Sequence, residues 1–252
     1  MRTQTFMKQE IREVPEVLEF MFSNAAKDIK KISNHLKENN ISYFTTIARG
    51  SSDHAASYLK YVIEIIAGFP VASIGPSISS IYGTSLNLNN VGCISISQSG
   101  QSPDILSATA MAKANGASTI SITNDRNSQL AKNCDFSIDI SARTERSVAA
   151  TKTFVSSIAS GLLLVAIWKN DKKLLNALYS LPEKAKKAIE CDCGELRNIL
   201  LNRNSLYTIG RGPSWAISNE AALKFKETCQ VHAESYSSAE VMHGPKSIIG
   251  QD

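Results

Sequence analysis

The chain has 252 residues, of which 43% are hydrophobic and 20% charged, with a net charge of +4. That balance describes a folded globular protein; its one basic run, Lys184 to Lys187, is interrupted by Ala185 at helical spacing and reads as a solvated helix face, so no nucleic-acid partner is expected. The longest apolar run, around Ile158 to Trp168, falls short of the roughly 20 residues that cross a bilayer, the N-terminus lacks an apolar signal segment, and five cysteines in mostly apolar contexts point to a reduced, cytoplasmic protein with no membrane partner.

Residues 1–40 read as N-terminal helices. Ile11, Val14, Val17, Leu18 and Met21 form one apolar stripe, which Pro15 interrupts as a new helix start, and Ile29, Ile32 and Leu36 form a second. From 41 to 168 strands alternate with helices. The strands are Tyr43 to Ala48, Val71 to Ile74, Val91 to Ser97, Ser118 to Thr123 and Phe136 to Ile140. Between them lie a loop at Arg49 to Asp53, a helix from His54 to Ala67 ending at Gly68, a helical turn from Ile78 to Tyr82, a helix from Pro103 to Asn115 and a short one from Asn127 to Lys132. A long apolar helix then runs to Trp168. This order predicts a three-layer α/β/α sandwich around a five-stranded parallel, doubly wound sheet. Residues 169–204 read as a helical connector with two amphipathic segments, and Cys191-Asp-Cys193 within it lacks metal-site spacing.

The segment from Cys93 to Leu106 passes from buried strand to a hydroxyl-rich loop, Ser97, Gln98, Ser99, Gly100 and Ser102, and then to a helix beginning at Pro103-Asp104. Such a junction gathers unpaired backbone N–H groups, the positive end of a helix dipole and hydroxyl donors, a combination suited to phosphate. By itself the segment also fits a Ser-rich helix cap with no ligand. With strand order 2-1-3-4-5, the loops Arg49 to Asp53 and Ser97 to Ser102 face one another at the topological switch point, which favours a ligand site.

The pattern then recurs. Ile47-Ala-Arg-Gly-Ser-Ser52 matches Ile209-Gly-Arg-Gly-Pro-Ser214 at an offset of 162 residues, so residues 205–252 read as the start of a second copy. The counterpart of the Ser97 loop falls near position 259, so this copy is read as incomplete, or truncated, at Asp252.

Five separated motifs carry a family resemblance: Ala-Arg-Gly-Ser-Ser-Asp-His-Ala from Ala48, Ser-Gln-Ser-Gly-Gln-Ser-Pro-Asp from Ser97, Val-Ala-Ala-Thr-Lys from Val148, Ala-Leu-Lys-Phe-Lys-Glu from Ala222, and the run from His232 to Pro245. Together they resemble the sugar isomerase (SIS) domain family, in particular the isomerase half of glucosamine-6-phosphate synthase and, more closely, SIS-type glucosamine-6-phosphate deaminases. The deaminase branch is suggested by the lack of a glutaminase domain here, by Gln101-Ser102-Pro103-Asp104 where synthases usually carry Glu-Thr-Ala-Asp, and by Arg49 where they tend to carry Cys.

The resemblance implies a hexose or amino-sugar 6-phosphate as substrate and aldose–ketose isomerisation coupled to amination or deamination. Ser51, Ser52, Ser97, Gln98, Ser99 and Ser102 would bind the phosphate, and Val148 and Thr151 the sugar. Glu227 matches the family's base for proton transfer between C1 and C2; by spacing alone it also fits a surface carboxylate paired with Lys224 one turn back. Lys224 would support it, and His243 resembles the ring-opening acid/base, which in the family reaches across a homodimer interface. The family's C-terminal Schiff-base lysine has no counterpart in these residues. No metal or organic cofactor is expected, because His54, His232 and Asp53 lack ligand spacing and no G-x-G follows a strand. Other readings of the motifs are an isomerase subunit fed with ammonia by a separate glutaminase, and a non-catalytic sugar-phosphate sensor, although no helix-turn-helix precedes the SIS unit.

Overall fold

The computed structural model describes residues 5–201 and 203–249. It divides into two compact units, residues 1–189 and 190–252.

The first unit opens with α1 (Phe6–Glu38), capped by Thr5, whose hydroxyl accepts the Lys8 N–H at 3.3 Å. The expected restart at Pro15 does not occur: one helix runs through it, with Pro15 buried inside. An internal proline costs about 3 kcal/mol or more. The helix offsets that by burying Val14, Val17, Leu18, Met21, Phe22, Ile29, Ile32 and Leu36, each worth roughly 1.5–3 kcal/mol when taken fully out of water. This stripe packs on α6 (Lys152–Trp168) and α8 (Leu181–Ile189).

The sheet has the order on which the switch-point reading rests. β2 (Val71–Ser73), β1 (Tyr43–Ile47), β3 (Val91–Ile96), β4 (Ser118–Thr123) and β5 (Phe136–Asp139) lie side by side in that sequence, every pair parallel. Side chains alternate between two cores, as the period of a strand requires. Phe44, Ile94, Ile96, Ile120, Ile122 and Ile138 pack among residues of α1, α2 (Ser51–Val62) and α6. On the other side, Ile47, Val91 and Cys93 meet Ile105, Ala108 and Ala112 of α4 (Pro103–Ala114) and Leu130 of α5 (Gln129–Asn133). The result is the three-layer α/β/α sandwich. A short α3 (Ser77–Ser80) follows β2, and α2 ends in a π-helical turn over Ile63–Ala67.

One local boundary differs from expectation. α2 starts at Ser51 rather than His54, because Gly50 turns the chain with φ 57° and its carbonyl takes the Asp53 and His54 N–H groups at 2.9 and 3.1 Å. The loop therefore shortens to Arg49-Gly50, and Ser51, Ser52 and Asp53 form the first helical turn.

Three helices occupy the stretch read as a connector. α7 (Lys172–Tyr179) and α8 fall in the first unit, α9 (Gly194–Leu200) in the second. The second unit continues with β6 (Ser205–Gly210), α10 (Pro213–Cys229) and β7 (His232–Ser237), the two strands pairing in parallel from Ser205↔His232 to Gly210↔Ser237. Two short 3-10 helices, Glu240–His243 and Pro245–Ile248, close it. The internal repeat extends to the backbone: Gly50 has φ 57° and ψ −133°, and Gly212 has φ 60° and ψ −136°. That region is open chiefly to glycine.

Candidate functional site

In the first unit the two Ser-rich turns leave the carboxyl ends of neighbouring strands β1 and β3, and an ion pair between Arg49 Nε and the Asp104 carboxylate ties them together. Neither helix is capped by the residue before it: the α2 cap is a glycine, and the Ser102 side chain makes no capping bond at α4. At α2 the Gly50 carbonyl takes the Asp53 and His54 N–H groups, and the dipoles of α2 and α4 add positive potential at both first turns.

The loop itself is tightly held. The Ser97 hydroxyl accepts the Gly100 N–H at 3.2 Å and the Ser99 hydroxyl accepts the Gln101 N–H at 3.3 Å. A hydroxyl used as an acceptor keeps its O–H to donate, so both can still serve an anion. Ser97 and Gly100 are buried, Gln98, Ser99 and Gln101 exposed, and Ser51, Ser52 and Ser102 half-buried. The loop is fastened to the end of β4 by the Gln98 carbonyl, which takes the Asn124 N–H, and to α5 by the Gly100 carbonyl, which takes the Leu130 N–H, each at 3.1 Å. Half-burial in the α2 turn pushes the Asp53 carboxyl above its ordinary range, with the neighbouring His54 charge pulling the other way.

Asn124, which the sequence reading passed over, extends this framework. Its side-chain oxygen accepts the Ala142 N–H and its amide donates to the Arg143 carbonyl, both at 2.7 Å. The segment that follows contains Val148, fully exposed, and Thr151, buried with its hydroxyl donated to Glu145 at 2.9 Å. Glu145 also accepts the Thr151 and Thr153 N–H groups at 3.0 and 3.1 Å, which caps α6. A polar residue directly after a strand at the carboxyl edge of such a sheet is the signal that could have marked Asn124.

In the second unit, Lys224 and Glu227 do meet, Nζ to carboxylate at 2.7 Å, and Lys224 also contacts Glu220 at 3.1 Å. Glu220 is buried and was not singled out from the sequence, although its spacing of one helical turn from Lys224 places it on the same face. His243 lies exposed on its 3-10 turn. The turn after it is tethered by the Tyr207 hydroxyl, which donates to the Pro245 carbonyl at 3.1 Å.

Among the described residues, no group of three or more His, Cys, Asp or Glu could hold a metal ion, and no helix is long and apolar enough to cross a membrane. Cys191 and Cys193 are exposed.

Comparison with known proteins agrees with this architecture. The glutamine–fructose-6-phosphate aminotransferase (isomerizing) of Sulfurisphaera tokodaii is 32% identical over 248 residues, covering 97% of this chain and 41% of that protein. The chain thus spans about two fifths of the length of the curated relatives it matches. A crystal structure from Silicibacter pomeroyi, proposed to be a phosphosugar isomerase, superimposes with a TM-score of 0.94 at 50% identity, over 97% of this chain and 75% of that one. The glucosamine-6-phosphate deaminase of Thermotoga maritima shares the fold, with a TM-score of 0.77 at 22% identity over 97% of this chain and 73% of that one. The description of the SIS domain matches residues 43–167 and again 199–252, following the internal repeat, and the chain belongs to the SIS domain family.

Proposed function

We propose that the chain binds a hexose or amino-sugar 6-phosphate and interconverts glucosamine 6-phosphate and water with fructose 6-phosphate and ammonia. The observation that carries this reading is the pair of helix N-termini, α2 and α4, each without a side-chain cap, at the carboxyl ends of β1 and β3 and joined by Arg49 and Asp104. Backbone N–H groups, helix dipoles and the side chains of Ser51, Ser52, Ser97, Gln98, Ser99 and Ser102 offer a dianionic phosphate many donors, and hydrogen bonds to a charged group contribute roughly 1.5–3 kcal/mol each. Val148 and Thr151 are assigned to the sugar.

The chemistry requires ring opening, exchange of nitrogen for oxygen at C2, and proton transfer between C1 and C2. We assign the proton transfer to Glu227, supported by Lys224, and ring opening to His243, in a homodimer. A positioned base of this kind contributes about 10²- to 10⁴-fold in rate. The test is to supply glucosamine 6-phosphate and measure release of ammonia and fructose 6-phosphate, with Glu227→Gln expected to lose activity by that factor. A protein that binds fructose 6-phosphate but turns over nothing in either direction, with Glu227→Gln indistinguishable from the parent, would make it a sensor instead.

A second reading, an isomerase subunit working in the direction of amination, is favoured by the aminotransferases among the curated relatives. It predicts glucosamine 6-phosphate from fructose 6-phosphate when a separate glutaminase supplies ammonia from glutamine.

A further inference from the structure

Glu10 occupies a position on α1 where the apolar stripe would place a hydrophobic residue, and it is only 3% exposed. Its carboxylate reaches the segment that carries Val148. It accepts the N–H groups of Arg146 and Ser147 and the Ser147 hydroxyl, and the Thr151 hydroxyl approaches it at 3.4 Å. One turn on, Glu13 takes the ammonium of Lys152 at 2.5 Å; Lys152 is 1% exposed and also donates to the Thr144 carbonyl at 2.7 Å. Two carboxylates of one helix therefore hold a single stretch, 144–152, on both sides of a residue that projects fully into solvent.

Stability alone gives little reason for this arrangement. Buried ionic contacts are often no better for folding than apolar packing of the same volume, and the start of α6 already has its cap in Glu145. What Glu10 adds is a defined backbone conformation immediately before Val148. Two N–H groups and one hydroxyl converging on a single carboxylate leave Arg146 and Ser147 little freedom to rotate.

We propose that Glu10 is a positioning residue for sugar recognition: by fixing Arg146 and Ser147 it sets the place at which Val148 meets the substrate. This rests on the assignment of Val148 and Thr151 to the sugar made above. It predicts a division of labour within the first unit. The Ser-rich turns bind phosphate without help from Glu10, whereas the sugar moiety is recognised only when Glu10 holds its segment.

The test uses the full chain. Amide hydrogen exchange is measured on the parent, Glu10→Ala and Glu10→Gln, and each is titrated with inorganic phosphate and with fructose 6-phosphate. In Glu10→Ala the Arg146 and Ser147 amides should exchange at least about tenfold faster, with the amides of β1 and β3 unchanged. Fructose 6-phosphate affinity should fall about tenfold while phosphate affinity holds, a loss about the size of one hydrogen bond to a charged group. Glu10→Gln, which keeps one acceptor oxygen, should lie between the two. Should Glu10→Ala lose its sheet protection, Glu10→Gln and Ser147→Ala decide the matter by the same two ratios. Unchanged exchange at Arg146 and Ser147, or equal losses for phosphate and fructose 6-phosphate, would overturn the proposal. A parent protein that binds phosphate but not fructose 6-phosphate would instead defeat the functional reading, and the exchange data would still report whether Glu10 anchors the segment.

Discussion

Replacing Gly100 by alanine probes the packing that shapes the candidate phosphate loop. Gly100 has φ +60°, and a Cβ there would lie 2.3 Å from Ser128 Oγ, 2.5 Å from Ser128 Cβ and 3.0 Å from Thr123 Oγ1. Neither side can retreat freely. Gly100 is held by its N–H to Ser97 at 3.2 Å and its carbonyl to the Leu130 N–H at 3.1 Å. Ser128 caps α5 through its hydroxyl, which accepts the Ala131 N–H at 3.2 Å. The backbone strain of a non-glycine residue at positive φ costs about 1–3 kcal/mol, and forcing a methyl into packed atoms costs about 1–3 kcal/mol more. Gly50, at φ +57° with nothing within 4 Å of its added Cβ, carries only the backbone part. In urea unfolding followed by circular dichroism, Gly100→Ala should thus be less stable than Gly50→Ala by about 1–3 kcal/mol. The double variant G100A/S128G should be more stable than the two single losses predict, because the colliding side chain is gone. Equal stability of Gly50→Ala and Gly100→Ala within about 0.5 kcal/mol, or strict additivity at positions 100 and 128, would refute the reasoning.

Thiol titration should divide the five cysteines. Cys191, Cys193 and Cys229 are exposed and should react at once, whereas burial pushes the Cys93 and Cys134 thiols up to about 11 and about 12, so these two should react only on unfolding; five fast thiols in the native protein would contradict this packing. Glu10 should leave a mark on acid stability. Burial by itself raises its pKa, but the Ser147 hydroxyl, the N–H groups of Arg146 and Ser147 and the charge of Lys152 outweigh it and hold the carboxyl below its ordinary 4.5. Its contribution is therefore present above about pH 4.5 and lost as the pH falls through the depressed value. The unfolding free energy of Glu10→Gln, measured against pH, should decline less steeply on the acid side than that of the parent, and identical slopes would count against the assignment.

The succession of strands and helices and the two Ser-rich turns were legible in the sequence because both are local. Alternation of strand and helix has a period that survives without any knowledge of contacts, and a parallel sheet with right-handed crossovers leaves few places for the turns to go. The repeat was legible for the same reason: Arg49-Gly50 and Arg211-Gly212 adopt matching turns because glycine is needed in each. Pro15 misled the local reading, since the burial of a stripe more than twenty residues long outweighs one missing hydrogen bond. The roles of Glu10 and Asn124 belong to tertiary structure alone. Glu10 meets its partners 136 and 137 residues away, and Asn124 meets its own 18 and 19 away. A carboxylate in an apolar stripe is visible in a sequence as an anomaly; which backbone it satisfies is decided only when α1 is laid against the segment before α6, where burial makes an unpaired carboxylate too costly to leave without donors.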